Sequence, residues 1–221
     1  MAGRDVVVTG GTSGIGAAIA DAFRDAGDRV VATGVEDGAA HRLDVTDADA
    51  VSAFFAGRAV DVLVCCAGVI GRGTELTPEG FARTVEVNLT GTMRCCLAAA
   101  EALRARGGSI VLTASMLSFF GSPVAPGYAA SKGGVAQLTK SLALAWAPDV
   151  RVNALAPGWI ATPLTDPLRG TEKEAAILSR TALGRWGEAA DLGGPALFLA
   201  SPAAGFVTGA ILPVDGGYSV A

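Results

Sequence analysis

The chain has 221 residues, 51% of them apolar and 17% charged, which excludes a disordered polymer. A chain this long buries roughly 70–75% of its unfolded surface and needs no staple to fold. Its 17 basic and 21 acidic residues leave a net charge of −4, without the basic clustering of a nucleic-acid surface. The mean hydropathy of +0.45 comes from dispersed Ala, Val, Leu and Gly, and no apolar run approaches the ~20 residues of a membrane span.

In chain order, Asp5–Gly10 reads as a strand ending in a glycine turn, with no signal-peptide pattern before it. Residues 14–27 follow as a helix with Ile15, Ile19, Ala22, Phe23 and Ala26 on one face, stopped by Gly27. A second strand covers 29–33, and 42–45 suits a very short third. Only Gly34–His41 separates these two, whereas a parallel crossover normally needs a dozen or more residues and usually a helix. The helix expected there is therefore missing or shortened. Then come a helix at 47–56, an apolar strand at 60–66 and one long helix at 78–106 ended by Gly107 and Gly108. Next are a strand at 109–113, a helix at 127–147 stopped at Pro148, a strand at 150–155, a helix at 189–200 and a last strand at 210–214. Strands alternating with helices predict one α/β domain over 1–221, a doubly wound Rossmann-type parallel sheet covered on both faces.

Cys65, Cys66, Cys95 and Cys96 form two adjacent pairs without the separated spacing of a zinc site, and read as reduced buried thiols of a cytoplasmic protein. His41 is the only histidine, so a histidine-based metal site or triad is excluded and no metal is expected.

Two motifs carry chemistry. Thr9-Gly10-Gly11-Thr12-Ser13-Gly14-Ile15-Gly16 lies between the first strand and the first helix. There glycines let a diphosphate approach the backbone, and the helix N-terminus offers free N–H groups and a positive dipole end. The spacing is G-x-x-x-G-x-G rather than the commoner G-x-G-x-x-G. Second, Ser115 precedes Tyr128 and Lys132 by twelve intervening residues and then an i, i+4 step that puts the pair on one helix face. A free phenol, with a pKa of roughly 10, is a poor base at neutral pH. A nearby ammonium favours phenolate, and a serine hydroxyl can hold the substrate oxygen beside it.

With these motifs, Asn88 in VNLTG, Pro157-Gly158 and the closing TGAILPVDGG, the sequence resembles the short-chain dehydrogenases/reductases from Val6 to Gly217. The resemblance implies a sheet of about seven strands and an NAD(H) or NADP(H) cofactor. It implies Tyr128 as general acid/base, with Lys132 binding the ribose hydroxyls and lowering the tyrosine pKa. Ser115 would orient the substrate and Asn88 would support a water leading to Lys132. Gly10, Thr12, Ser13, Gly14, Ile15 and Gly16 would cradle the diphosphate, and Asp44-Val45 would border the adenine near Gly34 and Val35. Ile160 and Thr162, after Pro157-Gly158, would bind the carboxamide. Plainer readings stand beside three of these: Asn88 as a polar break in a helix, Asp44 as a turn residue, Thr162 as a cap before Pro163.

The sequence departs from the family pattern in places. Cys66-Ala67-Gly68 replaces Asn-Ala-Gly, which removes a side-chain hydrogen bond while leaving backbone contact with the cofactor. Gly34 stands where an acid would read the ribose 2′-hydroxyl, and Val35 where an Arg would often follow. No basic residue lies in Thr12–Gly16 or Gly34–Asp37, and Glu36 and Asp37 would repel a 2′-phosphate, so NAD(H) is favoured over NADP(H). Pro163–Gly187 reads as a substrate lid, with Thr171-Glu172-Lys173-Glu174 as a capping box; a packing helix away from substrate is its plainer reading. Met116, Leu117, Phe119, Phe120 and Trp159 are candidate pocket residues.

The expected protein is thus an oxidoreductase moving a hydride between nicotinamide and a secondary alcohol or ketone, acting on a small molecule. The stretch from Met116 to Ala147 and GRWG at 184–187 look most like sugar-acid and polyol dehydrogenases. A 3-oxoacyl-thioester reductase is the alternative, and a non-catalytic dinucleotide sensor is the alternative of another class. The family also implies a homotetramer, with no nucleic acid or membrane as partner.

Overall fold

Valine-rich runs of four to seven residues, each bounded by glycine or polar turns, form the sheet. The computed structural model describes residues 3–221. Six strands pair in parallel: β1 Asp5–Thr9, β2 Arg29–Thr33, β3 Val62–Cys65, β4 Ser109–Thr113, β5 Arg151–Pro157 and, counting two short strands between, β8 Ile211–Val214. Their order across the sheet is β2-β1-β3-β4-β5-β8. The two short strands, β6 Ile160–Ala161 and β7 Gly187–Glu188, form a separate parallel ribbon.

The period-two alternation sends side chains to two cores. Val6, Val8, Val62, Val64, Val111 and Leu155 point to α1 (Gly14–Asp25) and α7 (Gly193–Leu199), where Ile19, Phe23, Ala196 and Leu199 meet them. Val7, Leu63, Ile110, Leu112 and Val152 point the other way. They meet Val51 and Phe55 of α2 (Ala48–Phe55), Cys95, Cys96 and Leu103 of α4 (Gly91–Arg106), and Val135 and Trp146 of α5 (Pro126–Trp146). Helices on both faces of a parallel sheet make the doubly wound α/β architecture that the alternation predicts. The order reverses at β1, whose neighbours β2 and β3 lead away on opposite sides, and such a switch point opens a crevice at the strands' C-terminal ends.

Two elements differ from expectation. No strand forms at 42–45, so among the described residues the sheet has six strands rather than about seven. The eight residues between β2 and Arg42 turn back without a helix and leave a single parallel bridge, Gly34 to Arg42, held by Gly34 N–H to His41 O and Leu43 N–H to Gly34 O. The long helix at 78–106 is also broken. α3 (Pro78–Val85) runs into a π turn at Glu86–Thr90 before α4 begins. A π turn inserts without interrupting the apolar pattern, so the sequence reads through it.

Candidate active site

The glycine-rich loop between β1 and α1 is shaped for close approach. Gly10 and Gly14 have φ of +64° and +51°, and a Cβ at Gly10 would lie 2.5 Å from the Ala67 nitrogen. Ser13 precedes α1 in extended conformation and its side chain does not cap the helix; the first turn carries no acid. The amides of Gly14, Ile15 and Gly16 are thus offered to an anion, at the positive end of a twelve-residue helix. This uncapped cradle fits the diphosphate of a dinucleotide.

At the adenosine end, a Cβ built on Gly34 would fall 2.1 Å from Thr12 Oγ1 and 2.2 Å from Glu36 Oε2. Thr12 donates its hydroxyl to that Glu36 oxygen at 2.7 Å, and this bond, ahead of backbone N–H groups, holds the Glu36 carboxyl below its usual range. Val35 is exposed beside it. Asp44 is a turn-former: its carboxylate accepts from the Thr46 N–H (2.9 Å) and hydroxyl (2.7 Å), which lowers its pKa. Val45 is buried against Gly91.

At the other end, Ser115 follows β4, and Tyr128 and Lys132 lie on the first turns of α5. Ser115 Oγ accepts the Leu117 N–H at 3.1 Å and its own N–H goes to Ser118 Oγ, whose hydroxyl binds Lys132 O at 2.7 Å. Lys132 Nζ lies 5.6 Å from the Tyr128 ring centre and donates to Thr113 O at 2.6 Å. Burial pulls its pKa down to about 8, against the opposing pull of the Cys66 and Cys65 thiols. Burial pushes the Tyr128 phenol above its ordinary value; the Ser115 hydroxyl and Arg72 oppose this, and Glu75 reinforces it. In this arrangement the Lys132 ammonium is directed at the Thr113 carbonyl, and the net direction at the phenol is set by burial.

Asn88 is fully buried in the π turn. Its side chain brackets Val69, accepting from the N–H (2.8 Å) and donating to the carbonyl (2.9 Å), and also donates to Ser131 Oγ. Its own carbonyl accepts from Thr92 Oγ1 at 2.8 Å. A Cβ at Gly68 would lie 3.3 Å from Asn88 Oδ1 and 3.7 Å from Lys132 Nζ, so that glycine seats both. Cys66 occupies the departure from the family pattern. Its thiol accepts from Thr113 Oγ1 at 3.3 Å, and burial pushes its pKa up to about 11. Thr162 heads a turn closed by Thr165 and lays its methyl group toward Gly14, 3.5 Å from where a Cβ there would be.

Ser115, Tyr128, Ile15, Pro157, Gly158, Ile160 and Thr162 line one cavity of about 370 Å³. Leu164, Leu168, Lys173, Ala176 and Ile177 close it from the 163–187 segment, whose helix α6 spans Glu172–Arg180. Met116, Leu117 and Trp159 also line it; Phe119 and Phe120 lie outside the lining. The capping box at 171–174 does not form. Thr171 donates its hydroxyl to Leu168 O, and Glu174 accepts instead from Gly170 N and Trp186 Nε1. Three residues that carry the site were invisible in the sequence pattern. Arg72 and Lys173 bring cations to the cavity wall, and Glu75 is buried behind Tyr128. Arg72 lies in a glycine-flanked loop and Glu75 and Lys173 in polar stretches, none distinguishable from surface until the chain is folded.

A family model described as enoyl-(acyl carrier protein) reductase matches residues 10–219, and curated relatives match nearly end to end. The chain belongs to the short-chain dehydrogenases/reductases. It is 38% identical to a 2-dehydro-3-deoxy-D-gluconate 5-dehydrogenase of Bacillus subtilis (strain 168), covering 99% of this chain and 95% of that protein. It is 42% identical to a galactitol 2-dehydrogenase (L-tagatose-forming) of Cereibacter sphaeroides, covering 99% and 96%. A gluconate 5-dehydrogenase of Burkholderia cenocepacia J2315, solved with NADP and tartrate, superimposes with a TM-score of 0.93 at 33% identity, covering 100% and 97%. The short-chain dehydrogenase is thus an NAD(P)-dependent oxidoreductase acting on alcohol groups. Among the described residues, no helix is long and apolar enough to cross a membrane.

Proposed function

We propose that this chain oxidises a secondary hydroxyl of a sugar acid, or reduces the matching ketone, and prefers NAD(H). The observation that carries the substrate reading is Arg72. Arg72 lines the cavity that holds Ser115 and Tyr128, its Nη1 donates to Leu164 O at 2.9 Å, its charge acts on the phenol, and Lys173 lines the same space. A mostly apolar pocket with convergent cations suits a polyol bearing a carboxylate. The names of the Bacillus and Burkholderia relatives point to the same class.

Tyr128 exchanges the proton of the reacting hydroxyl. Ser115 holds the same oxygen and so aligns it with the phenol. Lys132 holds the ribose hydroxyls, for which it must turn from Thr113 O, and its ammonium then lowers the cost of phenolate. Asn88 ties the Val69 backbone to Ser131, the residue before Lys132. The uncapped turn at Gly14–Gly16 takes the diphosphate, with Gly10, Thr12 and Ser13 shaping the loop. Gly34, Val35, Asp44 and Val45 border the adenosine. Cys66, Ala67 and Gly68 offer backbone along the middle, and Pro157, Gly158, Ile160 and Thr162 meet the carboxamide. When bound, the dinucleotide supplies the hydride acceptor or donor. Residues 163–187 cover the substrate.

Glu36 supports the NAD(H) preference, since its carboxylate fills the space left by Gly34 and disfavours a 2′-phosphate. Exposed Leu97 on α4, Leu144 on α5, and Phe198 and Phe206 near the C-terminus support assembly into a homotetramer; light scattering that gives a monomer at micromolar concentration rejects it. Four free cysteines suit a cytoplasmic setting.

The deciding experiment compares a hydroxy-sugar acid, its neutral polyol and an acetoacetyl thioester in wild type and Arg72→Ala. Loss of one charge-assisted contact is worth about 1.5–3 kcal/mol, or about ten- to a hundredfold. The variant should raise KM for the acid by that factor and change KM for the polyol far less. Turnover of the thioester alone rejects the sugar-acid reading.

A further inference from the structure

Helix α5 presents an unusual first turn. Ala125 stands at its N-cap with no side-chain bond, Pro126 has no N–H, and Gly127 and Tyr128 follow. A helix start normally takes a Ser, Thr, Asp or Asn at that position to bind an orphan amide. Here the acceptor arrives from 53 residues away. Glu75 lies in a 3-10 turn, Thr74–Leu76, and is 2% exposed. Its Oε2 accepts the Tyr128 N–H at 2.7 Å. Its Oε1 accepts the Gly71 N–H at 2.6 Å and the Thr84 hydroxyl at 3.1 Å. All three partners are donors, so the site is built for a group that only accepts, and a carboxylate is that group.

The surroundings make room for it. A Cβ at Gly127 would lie 3.2 Å from Oε2, and one at Gly71 would lie 3.6 Å from Oε1. Gly71 is the residue before Arg72, and Tyr128 is the proposed acid/base. One buried carboxylate therefore fastens the backbone beside the substrate-facing cation to the backbone of the phenol. We propose that Glu75 is a positioning residue that fixes the separation of Arg72 and Tyr128 and sets the electrostatic field behind the phenol. A buried carboxylate is costly unless its oxygens are bonded, and one at a helix N-terminus is favourable. The groups that face Tyr128 are Ser115, Arg72, Lys132 and Glu75, with Lys173 on the same cavity wall. Of these, Glu75 alone is negative, and its direction is to disfavour phenolate.

The proposal rests on Tyr128 as acid/base but not on the choice of substrate. Its test is Glu75→Gln, which keeps the shape, removes the charge and turns an NH2 toward at least one of the three donors. In a Tyr218→Phe background only one of the two tyrosines remains, so ultraviolet difference titration reads Tyr128 directly. The midpoint should fall by about half a unit or more, because the opposing charge is gone. kcat should fall about tenfold through misplacement, while the NADH dissociation constant, read by nicotinamide fluorescence, stays within about twofold. A midpoint that stays or rises, or an unchanged kcat, overturns the proposal; a purely structural residue would lower thermal stability and kcat without moving the midpoint.

If Glu75→Gln does not fold, Gly127→Ala decides. Its Cβ would lie 3.2 Å from Oε2 and 3.3 Å from the Phe81 Cα, so it displaces the carboxylate by a few tenths of an ångström while the charge stays. A severalfold fall in kcat with unchanged NADH binding supports the role, and full activity overturns it. Failure of the Tyr128 reading itself is distinct, since it shows as activity retained in Tyr128→Phe.

Discussion

The two ends of the proposed cofactor crevice are built differently. At the chemical end, Asn88, Ser131, Lys132 and Glu75 are buried and joined by bonds to one another or to fixed backbone: Asn88 to Ser131, Lys132 to Thr113, Glu75 to Gly71, Thr84 and Tyr128. At the adenosine end, residues 34–42 form a mostly exposed turn with one bridge, and its side-chain contacts, Thr12 to Glu36 and Arg42 to Val35 O, lie on the surface. Proton transfer needs groups held to a fraction of an ångström in a site that excludes water. Recognition of a ribose needs only an acceptor within reach. Fixed geometry demands particular residues at particular spacings, whereas reach can be met from several positions in a loop.

Removing the phenol should have the largest effect. Tyr128→Phe deletes one hydroxyl and keeps the ring, so folding and dinucleotide binding should persist. General acid/base catalysis contributes about 10²–10⁴-fold, or about 3–5 kcal/mol of barrier. Measured where chemistry limits the rate, kcat should fall by that factor with little change in NADH affinity. More than about a tenth of wild-type kcat in the variant refutes the role.

Lys132 sharpens the comparison because its function works against stability. Its folded-state pKa is lowered to about 8 by burial, from an ordinary 10.5. The ammonium therefore costs stability below pH 8, and the cost disappears as pH rises from about 8 to about 10.5, where the unfolded chain binds more protons than the folded one. Lys132→Met fills similar volume without charge. It should raise stability at pH 7 by about 1–2 kcal/mol, since the full shift corresponds to about 3 kcal/mol and the Thr113 carbonyl loses its donor. Activity should disappear and NADH binding should weaken. Urea unfolding at pH 7 and pH 10 checks this; a variant no more stable than wild type at pH 7 refutes the stability cost.

The same division governs what could be read from the chain. Ser115, Tyr128, Lys132 and Asn88 were legible because their chemistry imposes residue type, and the sheet because its strands are apolar on both faces. The π turn around Asn88 was not, since a local underwinding leaves hydrophobic periodicity nearly intact. The strand at 42–45 failed because Leu43 and Val45 are apolar for another reason: they pack into the core beside α2 and α4 from an irregular segment. Glu75 was hidden in Thr-Glu-Leu-Thr-Pro-Glu, where it looks like its neighbour Glu79, and only the approach of α5 distinguishes them. Arg72 stands in a glycine-flanked loop whose place on the cavity wall depends on the same approach. The capping pattern at 171–174 misled because Glu174 has a competing donor in Trp186.

The smallest expected effect lies at the adenosine end. Glu36 occupies the volume that a side chain at Gly34 would take, and the Thr12 hydroxyl holds its carboxyl below the usual range. An acceptor there can bind a ribose 2′-hydroxyl and repel a 2′-phosphate, although the family's usual acid position is empty. Being exposed, it acts through solvent, so its effect is screened and modest. Glu36→Ala should lower the preference for NADH over NADPH by about three- to fivefold, read as the ratio of dissociation constants from nicotinamide fluorescence. Part of that change is lost NADH affinity and part is relief of repulsion, which leaves Arg42 as the nearest cation on the turn; its Nε bonds Val35 O at 3.3 Å. Raising ionic strength should shrink the wild-type ratio toward that of the variant, because the repulsive part is electrostatic. A wild type that already prefers NADPH, or a ratio that Glu36→Ala leaves unchanged, removes Glu36 from cofactor choice and leaves recognition to the shape of the turn alone.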